Sequence, residues 1–254
     1  MQMKHLFTPD GERALVAVMR LRPLLGFDFD GTLAPIVARP DEAKVPAAVS
    51  RGLAALARRL PIAIITGRSV ADVRPRLGFE PHHVIGNHGA EDPANGVAPA
   101  AGRALDALRR RIASGARALS NAGVVVEDKQ LSLALHYRLA PDAGTALLCI
   151  EALLQGLEAS LTRFGGKCVV NVLAAGLPDK GDALAALVQR SKAKAAVFAG
   201  DDVNDESVFM RAEPPWLTIR IGRDDPLSRA MYFLDSDAEL VPVLERMLAM
   251  TNPP

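Results

Sequence analysis

The sequence predicts an α/β fold: a core built on a parallel sheet, interrupted by a smaller α+β domain. Three observations predict it. The short continuous apolar runs Leu24–Phe27, Pro61–Ile65 and Ala195–Ala199 read as strands buried on both faces. Each ends in polar residues and is followed by helical spacing, the rhythm of βαβ units. Between residues 95 and 175 the texture changes to helix, two strands, helix and strand, with alternating apolarity in the second strand. The expected division is therefore a core of residues 1–94 and 176–254 with an inserted domain of residues 95–175.

The elements follow in order. Glu12 to Leu21 suits a short helix ahead of the first strand, which Pro23 can enter. Pro35 and Pro40 punctuate a loop, and Pro46 suits the first position of a helix carried by Leu53, Leu56, Ala57 and Leu60. The second strand ends in Thr66-Gly67-Arg68-Ser69, and the next, from His82 to Ile85, in Gly86-Asn87-His88-Gly89-Ala90-Glu91. Asp92 to Pro99 reads as a linker. Beyond it come a helix from Arg103 to Leu119, strands at Val124–Val126 and Leu131–Arg138, a helix from Asp142 to Leu161 capped by Asp142, and a strand from Gly166 to Leu173. Ala174 to Pro178 leads back to a helix opening at Lys180. The strand Ala195–Ala199 ends in Gly200-Asp201-Asp202-Val203-Asn204-Asp205-Glu206, with a helix from about Asn204. Leu217–Ile221 and Met231–Leu234 complete the sheet, and Asp237–Met250 is the last helix.

Composition bounds the function. With 254 residues and 49% apolar content the chain can bury a large core, and with only 4% aromatics Ala, Leu and Val must build it. A net charge of +1 provides no strong field toward nucleic acid or anionic lipid. Arg109-Arg110-Arg111 reads as a solvated helix face. Cys149 and Cys168 sit in apolar contexts without a CxxC and read as reduced core thiols. No stretch has membrane-spanning length, which excludes a membrane-embedded aspartyl-phosphate ATPase. The expectation is a cytoplasmic protein, a monomer or weak homo-oligomer, acting on a small molecule.

The first strand carries the chemistry. It ends in Asp28-Phe29-Asp30-Gly31-Thr32. Side chains two apart on a strand share a face, so a strand that persists to Asp30 would put Asp28 and Asp30 in one pocket. Two such carboxylates call for a cation or a shared proton. Clustered oxygen ligands suit Mg²⁺ beside a phosphate, and a carboxylate can itself attack phosphorus. In an isolated pair the same residues would be an ordinary turn. Here three further strand tips or helix starts carry complementary groups: Thr66 a hydroxyl, Lys180 a cation, and Asp201, Asp202 and Asp205 more carboxylates. A phosphoryl-transfer site needs these parts.

The ordered set of these motifs resembles the haloacid dehalogenase superfamily of phosphotransferases. The resemblance implies a Rossmann-like core with Asp28 as nucleophile, Asp30 as general acid and base, and Thr66 and Lys180 as phosphate ligands. It implies Mg²⁺ held by Asp28, Asp30 through its backbone carbonyl, and Asp201, with Asp202 and Asp205 in support. The insertion would be a C2-type cap. Ile65-Thr66-Gly67-Arg68, Gly86-Asn87-His88-Gly89-Ala90-Glu91, Glu127-Asp128-Lys129, His136-Tyr137-Arg138, Gly166-Lys167-Cys168-Val169-Val170, Lys180-Gly181 and Gly200-Asp201-Asp202 further resemble the trehalose-6-phosphate phosphatases. That likeness implies a sugar-phosphate substrate contacted by Arg68, Asn87, His88, Gly89, Glu127, Lys129 and Asn171. Asn204 stands where the family commonly has Thr, and Asn171 and Ala174 where it has Glu and Pro. The alternatives are a phosphatase for another sugar phosphate, such as sucrose phosphate or a hexose phosphate, a phosphomutase, and a non-catalytic sugar-phosphate sensor.

Overall fold

The structure is a computed structural model and describes residues 3–37, 39–96, 103–157 and 159–251. The chain divides into two compact units, residues 1–89 with 179–254 and residues 90–178. Asp92 opens a hydrogen-bonded turn to Asn95, and residues 97–99 of the expected linker lie outside the described residues.

The first unit is a parallel sheet between two layers of helices. In chain order its elements are β1 (Lys4–His5), α1 (Pro9–Arg20), β2 (Leu24–Phe27), α2 (Ala47–Ala57), β3 (Ile62–Ile65), α3 (Val70–Val73) and β4 (His83–Ile85). The sheet order is completed by strands from residues 196–234, and all its pairings are parallel. Alternation explains why the strands read as unbroken apolar runs. Leu25, Phe27, Ile62, Ile64, Val197 and Ala199 join one core cluster, while Leu24, Ala63, Ile65, Ala196 and Phe198 join the other. Every residue of β2 and β3 is buried.

Helix α1 starts three residues before Glu12, because Thr8 accepts a hydrogen bond from Gly11 N and Pro9 suits the first turn. Strand β1 carries no apolar run that would announce it; it is a two-residue sheet edge.

The second unit holds α4 (Asp106–Asn121), β5 (Val125–Asp128), β6 (Ser132–His136), α5 (Ala143–Leu154), β7 (Leu161–Gly166) and β8 (Val169–Ala174). The strands form an antiparallel sheet in the order β5-β6-β8-β7. Leu133, Leu135 and Val172 face α4 and α5, packing with Leu108, Leu119, Ala146, Ile150 and Leu154. Glu127, Ala134 and Asn171 lie in register across three strands on the opposite face. Here the expected helix to Leu161 is corrected. Helix α5 ends at Leu154, Gly156 takes a positive φ, and Leu161–Gly166 pairs with β8 as a hairpin. Cys168, expected in a core, is exposed at the tip of that hairpin.

The basic run on α4 is also not a simply solvated face. Arg109 pairs with Asp106 and Asp128, and Arg111 donates to the carbonyls of Leu153 and Gln155 at the C-terminal end of α5.

The chain returns to the first unit with α6 (Lys180–Ser191), β9 (Ala196–Gly200), α7 (Glu206–Arg211), β10 (Leu217–Ile221), β11 (Tyr232–Leu234) and α8 (Leu240–Met250). The sheet order is β1-β11-β10-β9-β2-β3-β4, which places β2 between β9 and β3. No helix among the described residues is long and apolar enough to cross a membrane.

Helix α6 sets Lys180 at its first position. Asp179 caps it, accepting from Asp182 N at 2.8 Å, while Asp182 accepts from Asp179 N at 3.1 Å. Arg211 of α7 grips Asp179 at 2.9 Å. Asp179→Ala is expected to lower stability by about 1 kcal/mol. For a chain of this size that is a fall in Tm of about 2–4 °C, read by calorimetry. An unchanged Tm would show the cap to be immaterial.

Candidate active site

The polar groups gather where β2, β3, β4 and β9 end, the carboxyl edge at which open parallel sheets bind ligands. Strand β2 stops at Phe27, although Asp28 N still donates to Ala199 O at 2.9 Å. The chain then folds into a tight turn, with Leu33 N and Ala34 N both donating to Phe29 O. This corrects the expected shared face. The strand does not persist to Asp30, and the two carboxylates differ in exposure and partner: Asp28 is buried, while the Asp30 side chain remains 38% exposed.

Asp28 meets Lys180. Lys180 Nζ lies 2.9 Å from Asp28 Oδ1 and 2.8 Å from Asp205 Oδ1, with no exposure of its own side chain. Burial opposes the Lys180 charge, but Asp205 and Asp28 outweigh it and hold the ammonium above the usual lysine range. Burial lifts the Asp28 carboxyl well above its usual range; Lys180 works against this, and Asp205 and Asp201 add to it. Asp201 stands beside the two carboxylates that pair with Lys180, so the site holds three acidic groups to one ammonium.

Asp28, Asp201 and Asp205 each offer an oxygen, all within 4.8 Å of one another, and all three residues are buried. Hard oxygen donors in excess of the local positive charge fit a divalent cation. Asp205 is committed on both sides, to Lys180 and to Asp202 N at 3.0 Å. Asp201 accepts from the Thr32 hydroxyl at 3.3 Å. Gly31 makes that approach possible: its φ is 79°, and a Cβ there would lie 2.1 Å from Asp201 Oδ2. The expected metal ligand Asp202 is elsewhere. Its carboxylate caps the 203–205 turn, accepting from Val203 N at 2.8 Å and Asn204 Nδ2 at 3.3 Å. The Asp30 carboxylate is outside the cluster too.

Asp30 belongs to Arg68. Arg68 Nε donates to Asp30 Oδ2 and Nη2 to Asp30 Oδ1, both at 2.7 Å. The same guanidinium donates to Asp72 at 2.8 Å and to Pro40 O at 2.9 Å, and lies over the Phe29 ring. Burial opposes its charge, yet Asp30 and Asp72 keep it above its usual range. Arg68, expected as a substrate ligand, makes four hydrogen bonds to protein groups that hold Asp30 and the 40–42 turn. Asp72 and Arg76, which sequence reasoning missed, extend this network, with Arg76 donating to Asp72 and to Asp41 O. Their signal was the four-residue spacing Arg68, Asp72, Arg76.

Thr66 is fully buried at the end of β3, and its hydroxyl accepts from Arg68 N at 3.2 Å. Neighbouring Asn87, His88 and Gly89 take positive φ values of 48°, 60° and 114°, unusual for the two that are not glycine. Asn87 N donates to Arg68 O and His88 N to Thr66 O, so the tips of β3 and β4 are stitched together. The His88 ring lies on Gly67, where a Cβ would be 2.3 Å away. Strain of this kind gathers at functional sites.

In the second unit, Glu127 sits beside two basic side chains. Its Oε2 lies 3.1 Å from His136 Nε2 and 3.5 Å from Lys129 Nζ. Burial works to raise its carboxyl, but His136 and Lys129 outweigh that and hold it below the usual range. Asn171, buried on the same sheet face, is two strands away across Ala134.

Comparison with known proteins places this geometry. Residues 26–215 match the family described as Trehalose-phosphatase. A probable trehalose-phosphate phosphatase of Sinorhizobium fredii is 36% identical over 90% of the chain and 88% of its own length. A Mycobacterium tuberculosis protein named as an uncharacterized glycosyl hydrolase is 35% identical over 79% of the chain but only 16% of its own length. The chain likewise spans 66% of the trehalose-phosphate phosphatase of Mycolicibacterium paratuberculosis. The C-terminal domain of the Candida albicans trehalose-6-phosphate phosphatase shares the fold, with a TM-score of 0.77 over 98% of both chains at 20% identity. The core with its inserted domain is thus a haloacid dehalogenase-like fold, and the match across β2 to α7 means that the chain belongs to the trehalose-phosphatase family.

Proposed function

We propose that the chain hydrolyses trehalose 6-phosphate to trehalose and phosphate in two steps through an aspartyl-phosphate. The observation that carries this is the buried Lys180 between Asp28 and Asp205, set against a surplus of carboxylate oxygens. A non-catalytic sensor has no use for a buried nucleophile at a strand tip.

Asp28 Oδ attacks phosphorus, and the bond from phosphorus to the sugar oxygen breaks. Lys180 and the Thr66 hydroxyl hold phosphoryl oxygens as charge moves onto them. Asp30 gives a proton to the departing sugar oxygen. For that role its pair with Arg68 has to open, and the tether is suited to this because Asp30, unlike Asp28, is partly exposed. A water then attacks the aspartyl-phosphate, Asp30 takes its proton, and the bond from phosphorus to Asp28 breaks. Asp28 and Asp201, with Asp205 behind them and the Asp30 carbonyl in support, would hold Mg²⁺, which supplies a positive charge to the phosphoryl oxygens. Glu127 and Lys129, with Asn87, His88 and Gly89, are the proposed sugar contacts. Asn171 brings an amide where the family commonly has a carboxylate, which favours one second reading: a different sugar phosphate as the preferred substrate.

Two measurements test this. Phosphate release from trehalose 6-phosphate is expected to exceed release from sucrose, glucose and mannose phosphates, and to fall by about 10³-fold or more in Asp28→Asn. Faster release from another sugar phosphate would keep the chemistry and replace the substrate; release surviving in Asp28→Asn would remove the nucleophile.

Mg²⁺ is expected to raise Tm and a chelator to reverse it, since a ligand at about 100 times its Kd stabilises by about 2.7 kcal/mol. Asp201→Asn is expected to abolish that shift. The same shift in Asp201→Asn would place the ion elsewhere.

A further inference from the structure

The turn that leaves β5 holds a non-glycine residue in a left-handed conformation. Gln130 has a φ of 70°, and across it Leu131 N donates to Lys129 O at 2.9 Å. A closure from residue i to i+2 around a positive φ is the rare and strained form of the γ-turn. Strain of this kind persists where surrounding groups over-determine the backbone, and it concentrates at functional positions.

Arg109 is the group that over-determines it. From α4, its Nε donates to Asp128 Oδ2 at 2.8 Å, and its Nη2 donates both to Asp128 Oδ1 at 3.0 Å and to the Gln130 carbonyl at 2.7 Å. Nη1 is anchored by Asp106 at 2.9 Å. Asp128 Oδ1 also accepts from Gln130 N at 2.8 Å, so carboxylate and guanidinium grip both the N–H and the C=O of the strained residue. Arg109 in turn holds the Asp128 carboxyl below the usual carboxylate range.

The side chain fixed by this arrangement is Lys129. A surface lysine ordinarily extends its ammonium into water. Lys129 is instead only 12% exposed, with Nζ 3.5 Å from Glu127. The two groups named above as sugar contacts are thus set beside one another, one near the end of strand β5 and the other on the strained turn that follows it.

We propose that Arg109 is a positioning residue, whose planar fork holds the 128–131 turn in the strained form that sets Lys129 beside Glu127. The proposal rests on the reading of Lys129 and Glu127 as sugar contacts. Lysine cannot replace this arginine, because a single ammonium cannot span both carboxylate oxygens and the carbonyl in one plane.

The test is steady-state kinetics of the full chain with two substrates, trehalose 6-phosphate and p-nitrophenyl phosphate, which has no sugar. Arg109→Ala is expected to raise KM for trehalose 6-phosphate by about tenfold or more, in line with the sensitivity of such sites to small displacements. Turnover of p-nitrophenyl phosphate is expected to stay within about twofold. Arg109→Lys is expected to behave like Arg109→Ala. Adding Gln130→Gly to Arg109→Ala is expected to recover part of the lost KM, because glycine adopts the positive φ without a Cβ penalty. An effect of Lys129→Ala on KM without one from Arg109→Ala overturns the positioning role and leaves the sugar contact standing. Full activity in Arg109→Lys, or equal losses on both substrates in Arg109→Ala, overturns it as well. If Lys129→Ala leaves KM unchanged, the sugar-contact reading fails and the positioning role fails with it. Should Arg109→Ala not fold, Asp128→Asn removes the same grip and is held to the same KM comparison.

Discussion

A lysine with no solvent exposure, wedged between two buried aspartates, is the constraint on which the rest of the core depends. Removing any of these charges from water is costly, and the cost is offset only if all remain paired at close range. Breaking such a pair on one side costs about 3–5 kcal/mol, because the partner is left buried and uncompensated. Asp28, Lys180 and Asp205 come from three distant stretches of chain. Their pairing therefore fixes the end of β2, the start of α6 and the 203–205 turn relative to one another. The capping of α6 by Asp179 and the close approach of Gly31 to Asp201 serve the same geometry.

Charge balance then separates stability from function. Lys180 pairs with Asp28 and Asp205, and Asp201 adds a third carboxylate within 4.8 Å of those two. A surplus of buried negative charge is a poor way to stabilise a fold and a suitable way to hold a cation. Thr32 donates to Asp201 and Asp202 N donates to Asp205, so neither carboxylate relies on a cation alone for its orientation.

Much of this was legible in the sequence, for physical reasons that also explain what was not. Strands β2, β3 and β9 were readable because burial on both faces demands unbroken apolar residues, and the polar tips stood out against them. The boundary between α5 and β7 was not, because Leu153, Leu154, Leu157 and Leu161 continue a helical spacing that local pattern cannot distinguish from a helix; the pairing of Leu161–Gly166 with β8 decides it. Strand periodicity was the wrong ground for pairing Asp28 with Asp30, because the backbone turns after Phe27. Arg68 was read as a substrate ligand through the family resemblance of its motif. What it holds depends on Asp30, a residue 38 positions away, and such distances are invisible to spacing rules.

The two units use one device. Arg68 grips both oxygens of Asp30 and the carbonyl of Pro40; Arg109 grips both oxygens of Asp128 and the carbonyl of Gln130. In each case a planar fork joins a carboxylate to a loop backbone, which an ammonium cannot do with the same directionality. The difference lies in what is held. At Asp128 the carboxylate is itself part of the turn, accepting from Gln130 N, so the grip is closed and the turn is fixed. At Asp30 the carboxylate is the group with chemistry to perform, and it sits at the exposed end of its motif while Asp28 is sealed beneath. A nucleophile gains from being immobile, since its attack geometry must be set before the substrate arrives. A group that serves first as acid and then as base must exchange protons with two different partners, and a partly exposed carboxylate on a two-point tether can do so without disturbing the buried charges beside it.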